Sequence, residues 1–224
     1  MAVTFAERRR NNNLVALLVI ATGALDAISF LGLGGVFTSV MTANMVLLGL
    51  SAGRHDAALA LHAGVALAGF VTGGLAASRF ARPPGEPAPA WPGRVTVALV
   101  VEAAVLVAVT VGWETAAGLP RGAEQLMLVA AAAVAMGIQS AAVRALGVPG
   151  LSTTYLTGIL TEALGDLAAV RASASLRRRL GLLVMLVAGA AVSGVLVAEA
   201  PLLAPLVPLA LLLAVIVTAA ISSP

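Results

Sequence analysis

The segment that decides the fold is Gly32-Leu-Gly-Gly-Val-Phe-Thr-Ser-Val-Met-Thr-Ala-Asn-Met-Val-Leu-Leu-Gly49. It is apolar enough to enter a membrane, but glycines interrupt its first part, and four polar side chains follow: Thr38, Ser39, Thr42 and Asn44. A helix over 37–50 would be about 20 Å long, whereas the hydrocarbon core of a bilayer is about 30 Å thick. The sequence therefore predicts a short, broken membrane helix here.

A second segment repeats these features: Gly147-Val-Pro-Gly-Leu-Ser-Thr-Thr-Tyr-Leu-Thr-Gly-Ile-Leu-Thr-Glu162. It begins with glycines and a proline, and like the first segment it carries several threonines. Two short, interrupted segments at corresponding places in two halves of a chain are typical of a transporter binding site.

The composition indicates a membrane protein. Hydrophobic residues make up 60% of the 224 residues and charged residues only 10%, whereas soluble domains carry about 25% charged residues. So apolar a chain has too little polar surface to cover a water-soluble globule. We predict an all-α polytopic membrane helix bundle, with membrane lipid as its surroundings. A net charge of +3 spread over loops gives no nucleic-acid footprint.

We interpret the chain as a single integral membrane domain over residues 1–224. The apolar run 14–33 is longer than the core of a usual signal peptide, so it is predicted to be a retained first helix. The predicted order is a first repeat (14–78), a Pro-rich linker (79–93), a connecting helix and loop (94–124), a second repeat (125–198) and a C-terminal helix (199–224).

The two repeats align as long helix, short segment and Gly-rich helix. Asp26 aligns with Gln139, and after a two-residue shift the Thr pairs of the short segments align. Gly69 and Gly74 then align with Gly189 and Gly194. Gly69 and Gly73 also form a pattern that allows close helix approach, within the chain or between chains.

The arginines distinguish two topologies. If the short segments re-enter, six full spans cross, and eleven arginines lie on the N-terminal side against two on the other. If all eight segments cross, the split is nine to four. Because basic residues favour the cytoplasmic side, we predict six spans with two re-entrant segments and a cytoplasmic N-terminus. Eight crossings are the alternative.

The candidate binding residues follow from this topology. Re-entrant half-helices would place their N-terminal N–H groups near the membrane centre, where they suit an anion or a carbonyl oxygen. Threonines four residues apart would line one face of each half-helix, or would hydrogen-bond only to their own backbone. The buried carboxyl of Asp26 would carry protons or bond to the neighbouring short segment. The predicted substrate-binding residues are Asp26, Thr38, Thr42, Asn44, Gln139, Thr153, Thr157 and Glu162.

The sequence favours no enzymatic chemistry. It contains no Ser-His-Asp set, P-loop, Gly-x-Gly-x-x-Gly or HExxH motif, so we predict neither catalytic residues nor a cofactor. His55 and His62 have no third ligand in view, so no metal site is predicted. Glu102 is a further carboxyl within an apolar span, without an assigned role.

The pattern resembles the YoaK-like family of bacterial multi-pass membrane proteins. The resemblance rests on two blocks, Asp26-Ala-Ile-Ser-Phe-Leu-Gly32 with Phe37 to Asn44, and Met136-Gly-Ile-Gln-Ser-Ala-Ala-Val-Arg144 with Thr153-Thr-Tyr-Leu-Thr-Gly158. Ala43 stands where the family usually has Gly, and Ser140 where it usually has Asn. The resemblance implies an integral inner-membrane protein and no particular activity.

The leading hypothesis is a transporter or facilitator of a small polar or anionic solute, with its site at the midplane between the two Thr-rich helices. A passive channel built on paired half-helices is one alternative. A membrane scaffold or partner-binding protein is the other, and a homo-oligomer is compatible with each hypothesis.

Overall fold

The computed structural model describes residues 5–81, 91–146, 156–168 and 174–221. These residues form helices and no strand, which confirms the predicted all-α bundle. The helices are α1 (Phe5–Gly32), α2 (Met41–Arg54), α3 (Ala57–Ala81), α4 (Gly93–Thr115), α5 (Gly122–Ala145), α6 (Leu156–Ala168), α7 (Ala174–Glu199) and α8 (Leu206–Ile221), with a 3₁₀ turn at Pro201–Leu203 before α8.

Six stretches in the described residues are long and apolar enough to cross a membrane. They are five whole or nearly whole helices, α1, α3, α4, α5 and α7, together with the run Pro201–Ile221 that includes α8. The other two helices are short, since α2 has 14 residues and α6 has 13. The prediction of six full spans and two short segments is therefore confirmed.

One predicted detail was wrong. The first short helix begins at Met41 rather than at residue 37, because the backbone before it is held by side chains described below. In the last span, α8 begins only at Leu206, after the 3₁₀ turn, and Pro208 lies in its first turn, where its missing N–H leaves no intrahelical hydrogen bond unmade.

The direction of each helix follows from contacts at one end of the bundle, here called the Trp113 end. The Trp113 ring, near the end of α4, packs against Gly32, the last residue of α1, and its Nε1 donates to Pro201 O at 2.8 Å. Gln125, in the first turn of α5, donates from Nε2 to Gly32 O at 3.1 Å. Its Oε1 lies 3.1 Å from Nε2 of His62, near the start of α3.

These contacts bring the ends of α1, α4 and α7 together with the beginnings of α3, α5 and α8. The spans therefore alternate in direction. Since α1 ends and α3 begins at the Trp113 end, α2 does not cross: its chain enters from that end and returns to it. By the same reasoning α6 lies between an α5 and an α7 that meet at the opposite end. The two short helices thus belong to inverted repeats.

The repeats interlock through glycine contacts. The long helix α1 packs against α7, and its counterpart α5 packs against α3. A Cβ on Gly73 of α3 would lie 2.1 Å from Val134 O of α5, and one on Gly189 of α7 would lie 2.1 Å from Ile20 O of α1. Only glycine permits so close a backbone approach. The first helix of each repeat therefore packs on the third helix of the other.

The interlock predicts a sharp contrast between two glycines of α3. Gly73→Ala should lower the free energy of unfolding by about 1–3 kcal/mol, because the added methyl group meets a backbone oxygen that cannot move aside. Gly64→Ala is the matched control, since nothing lies within 4 Å of its Cβ position. Thermal unfolding in detergent measures both variants, and an equal effect of the two would contradict the packing.

Candidate functional site

The Asp26 carboxylate holds the chain that precedes α2. Its Oδ1 accepts from the backbone N–H of Thr38 at 2.8 Å, from the Thr38 hydroxyl at 2.9 Å and from the N–H of Ser39 at 2.9 Å. Its Oδ2 accepts from the Ser39 hydroxyl. All three residues are buried. A carboxylate within the apolar part of α1 is thus satisfied by four donors from one short loop.

Asn44 holds the same loop from the other side. It lies in the first turns of α2 and reaches back to Phe37, accepting from its N–H at 3.0 Å and donating to its carbonyl at 2.6 Å. Gly34 and Gly35 allow the chain to turn there, with φ of +90° and +74°, values that side chains disfavour. The side chains of Asp26, Thr38, Ser39 and Asn44, together with two glycines, therefore position the loop.

This arrangement differs from the predicted site at the start of the half-helix. The N–H groups of Thr38 and Ser39, which were expected to face a solute, donate to Asp26. Thr38 lies before α2 and is buried, whereas Thr42 lies in α2 and is exposed. The two threonines do not share a helix face, because the helix begins later than the threonine spacing suggested.

A second group of buried polar side chains lies between α1 and α5. Gln139 donates from Nε2 to Thr22 Oγ1 at 2.8 Å, and Thr22 donates to Leu18 O in its own helix. The Gln139 Oε1 and the Ser29 hydroxyl are buried without a hydrogen-bond partner in the described chain. Thr22, Asp26 and Ser29 follow helical spacing on one face of α1. We call these three residues and Gln139 the polar seam.

The remaining predicted residues lie elsewhere. Thr153 falls outside the described residues. Thr157 is exposed on α6, and its carbonyl accepts from the Thr161 hydroxyl at 3.0 Å. The Glu162 side chain is 49% exposed and lies 2.7 Å from Arg179 of α7, which also pairs with Asp166. Thr157 and Glu162 are therefore on the surface of the α6–α7 hairpin and not in the polar seam.

Sequence reasoning assigned no role to Glu102, which the structure places in the core. Its side chain is 0% exposed, and neither carboxyl oxygen has a hydrogen-bond partner among the described residues. The burial of Glu102 could have been predicted from the sequence, because this residue interrupts an apolar stripe of α4. The stripe follows helical spacing: Val95, Leu99, Leu106, Val109 and Trp113.

The described residues contain no group of three or more His, Asp or Glu side chains that could hold a metal ion. The buried carboxyls of Asp26 and Glu102 belong to different helices, and their surroundings differ. Asp26 accepts four hydrogen bonds, whereas Glu102 accepts none.

The comparisons with known proteins agree with this architecture. Residues 14–219 match the family model described as "Protein of unknown function (DUF1275)". The chain belongs to the DUF1275 family. It is 36% identical, over 156 residues, to the "UPF0700 transmembrane protein YoaK" of Bacillus subtilis (strain 168). The aligned region covers 70% of this chain and 67% of that protein. The predicted YoaK-like resemblance is therefore confirmed, and the protein is a multi-pass membrane protein. No solved structure matches the chain.

The hydrogen bonds of Asp26 predict a large effect of removing its carboxyl. Asp26→Leu should lower the free energy of unfolding by about 2–4 kcal/mol, because two backbone N–H groups and two hydroxyls lose their acceptor in an apolar region. Thermal unfolding in detergent gives the loss, and faster hydrogen exchange in residues 37–44 would locate it.

Asp56→Ala serves as the control. This exposed carboxyl accepts a single hydrogen bond, from Leu59 N–H at 3.0 Å, so its loss should cost about 1 kcal/mol and leave exchange in 37–44 unchanged. Wild-type stability and exchange in Asp26→Leu would show that the carboxyl does not hold the loop.

Proposed function

We propose that this protein is a transporter or facilitator of a small polar or anionic solute, and that the solute binds at the polar seam. The observation that carries the proposal is the pair of short segments that enter from opposite ends of inverted repeats. Such segments, together with a binding site near the midplane, are typical of secondary transporters.

Within the seam, Gln139 is a better solute contact than Asp26. The Asp26 carboxylate already accepts four hydrogen bonds, so a solute that binds it must first displace the loop. The Gln139 Oε1 is buried and has no partner in the described residues. A donor on the solute would satisfy this oxygen, and a neutral amide does not repel an anion as a carboxylate does.

The proposed site therefore keeps only Asp26 and Gln139 of the sequence-based set. Of the residues it omits, Thr42, Thr157 and Glu162 are exposed on α2 and α6, whereas Thr38 and Asn44 are buried in the loop before α2 and at its start. Thr153 lies outside the described residues. The two short helices pack mainly on α3 and α7, and they form no extensive contact with each other among the described residues.

The proposed orientation has the N-terminus in the cytoplasm of a bacterial cell, in the inner membrane. Arg54 and Arg121 lie at the Trp113 end, whereas the other arginines within the described residues lie toward the opposite end. Because basic residues are retained on the cytoplasmic side, the Trp113 end faces outward.

A passive channel is the second candidate, favoured by the entry of α2 and α6 from opposite ends. A scaffold built through the glycine pattern of α3 is less well supported, because Gly69 and Gly73 pack against α5 of the same chain. We propose no enzymatic activity. Membrane lipid is the proposed surrounding partner, and a homo-oligomer is compatible with the exposed apolar faces.

The proposal is tested by a thermal-shift screen of small polar and anionic compounds on the purified protein, followed by flux of each hit into proteoliposomes. Gln139→Leu should abolish both the shift and the flux, since the unpartnered amide oxygen is removed. A hit that shifts and crosses equally well with Gln139→Leu would contradict the proposed site.

Two further variants serve as controls for that screen. Thr72→Val removes an exposed hydroxyl that bonds to Ala68 O of its own helix and should leave flux unchanged. The double variant Thr42→Val and Thr157→Val should also retain flux. Loss of flux in this double variant would move the site to the two short helices.

A further inference from the structure

Glu102 lies near the centre of the third of the six spans, α4. It is about 14 Å from the first residue of α4, near the middle of a hydrocarbon core about 30 Å thick. The buried residues one turn away are aliphatic: Ala98, Leu99 and Leu106. The side chain therefore lies in the apolar stripe that packs α4 against α5 and α8.

Among the described residues, no charge of opposite sign bonds to this carboxyl. The titratable groups of α4 and of the helices packed on it lie toward the helix ends: Arg94 and Glu114 on α4, His62 and Arg79 on α3, and Glu124 and Arg144 on α5. The helix α8 carries none. None of these groups bonds to Glu102 in the described chain. An ionised carboxylate in such surroundings would be unfavourable, so burial favours the neutral acid, with a bound proton.

The surroundings of Glu102 suit a proton better than a metal cation. A metal cation requires several oxygen ligands, whereas the neighbouring side chains one turn away carry none. The carbonyls of a helix interior already accept hydrogen bonds from the next turn. A proton requires only the carboxylate oxygen itself, so this position can hold a proton without any further ligand.

We propose that Glu102 is a proton-binding site that is loaded and unloaded as the bundle changes conformation. This inference rests on the proposed transport function, and it makes the proton the coupling ion. It assigns different roles to the two buried carboxyls: Asp26 holds the re-entrant loop through four hydrogen bonds, while Glu102, which has no hydrogen-bond partner in the part of the chain that the structure describes, exchanges its proton.

The direct test is labelling with dicyclohexylcarbodiimide, an apolar reagent that reaches carboxyls within membranes. It adds to a protonated carboxyl: the acid proton moves to a reagent nitrogen, the carboxyl oxygen bonds to the central carbon, and the adduct rearranges to a stable N-acylurea with no leaving group. The full-length protein in lipid vesicles is treated from about pH 5 to about pH 9, and the labelled peptide is identified by mass spectrometry.

We expect Glu102 to be labelled in vesicles, with labelling that declines toward alkaline pH, and no label at this position in Glu102→Gln. Labelling of Glu102 only after the protein is unfolded in detergent would mean that the folded bundle never exposes this carboxyl, and this result would overturn the proposal. Labelling that does not change with pH would overturn it too. Glu102→Leu should remain folded with an equal or higher melting temperature, because it removes unpartnered polar atoms from an apolar stripe.

A second arm uses any compound that the flux assay identifies. In Glu102→Gln, a pH gradient should no longer drive accumulation of the compound, while exchange of labelled compound across the membrane continues. Accumulation equal to wild type would overturn the coupling role. If no compound is transported, the proposed function fails, and the labelling result still decides whether Glu102 exchanges a proton.

Discussion

The interaction on which the structure depends is the acceptance of Thr38 and Ser39 donors by the Asp26 carboxylate. A chain that bends inside a membrane exposes backbone N–H groups that water cannot reach, and each unpaired group is costly. Asp26 supplies the acceptor for two of these groups, and Asn44 pairs with both backbone groups of Phe37. With the loop satisfied at the depth of Asp26, α2 can begin inside the bilayer and return to the end where α1 finished.

The second constraint is the exchange of partners between the repeats. Because α1 packs on α7 and α5 packs on α3 through glycine contacts, neither repeat forms a complete bundle by itself. The interlock brings the equivalent residues Asp26 and Gln139 to the two sides of one seam, where their chemistry differs. Asp26 is saturated by its own loop, whereas the Gln139 amide oxygen is unpartnered in the described chain. Equivalent positions of the two repeats therefore carry side chains that differ in their hydrogen bonding.

Much of this arrangement could be predicted from the sequence. The hydropathy of the spans, the shortness of two segments and the eleven-to-two arginine split each reflect a strong physical preference, and the bundle agrees with all three. All three preferences are imposed by the bilayer and do not depend on which side chains pack together. The buried hydrogen bond between Asp26 and the neighbouring segment was also among the alternatives that the sequence offered.

The details that could not be predicted depend on which side chain satisfies which backbone group. The threonine spacing indicated a shared helix face, but Thr38 donates to Asp26 and the helix starts only at Met41. Glu102 was assigned no role because a single carboxyl in an apolar run shows nothing of its partners. Its isolation became visible only when the surrounding helices were in place, since burial and missing hydrogen bonds are properties of the packed bundle.

The re-entry of α2 into the membrane is tested by the sidedness of two positions. The chain has no cysteine, so Arg9→Cys and Arg54→Cys each provide a single thiol for a membrane-impermeant maleimide on intact cells. Re-entry places Arg9, near the start of α1, and Arg54, at the end of α2, on opposite sides of the membrane. We expect Arg54→Cys to react on intact cells and Arg9→Cys to react only after permeabilisation. Reaction of both variants from the same side would mean that α2 crosses, and would contradict the account.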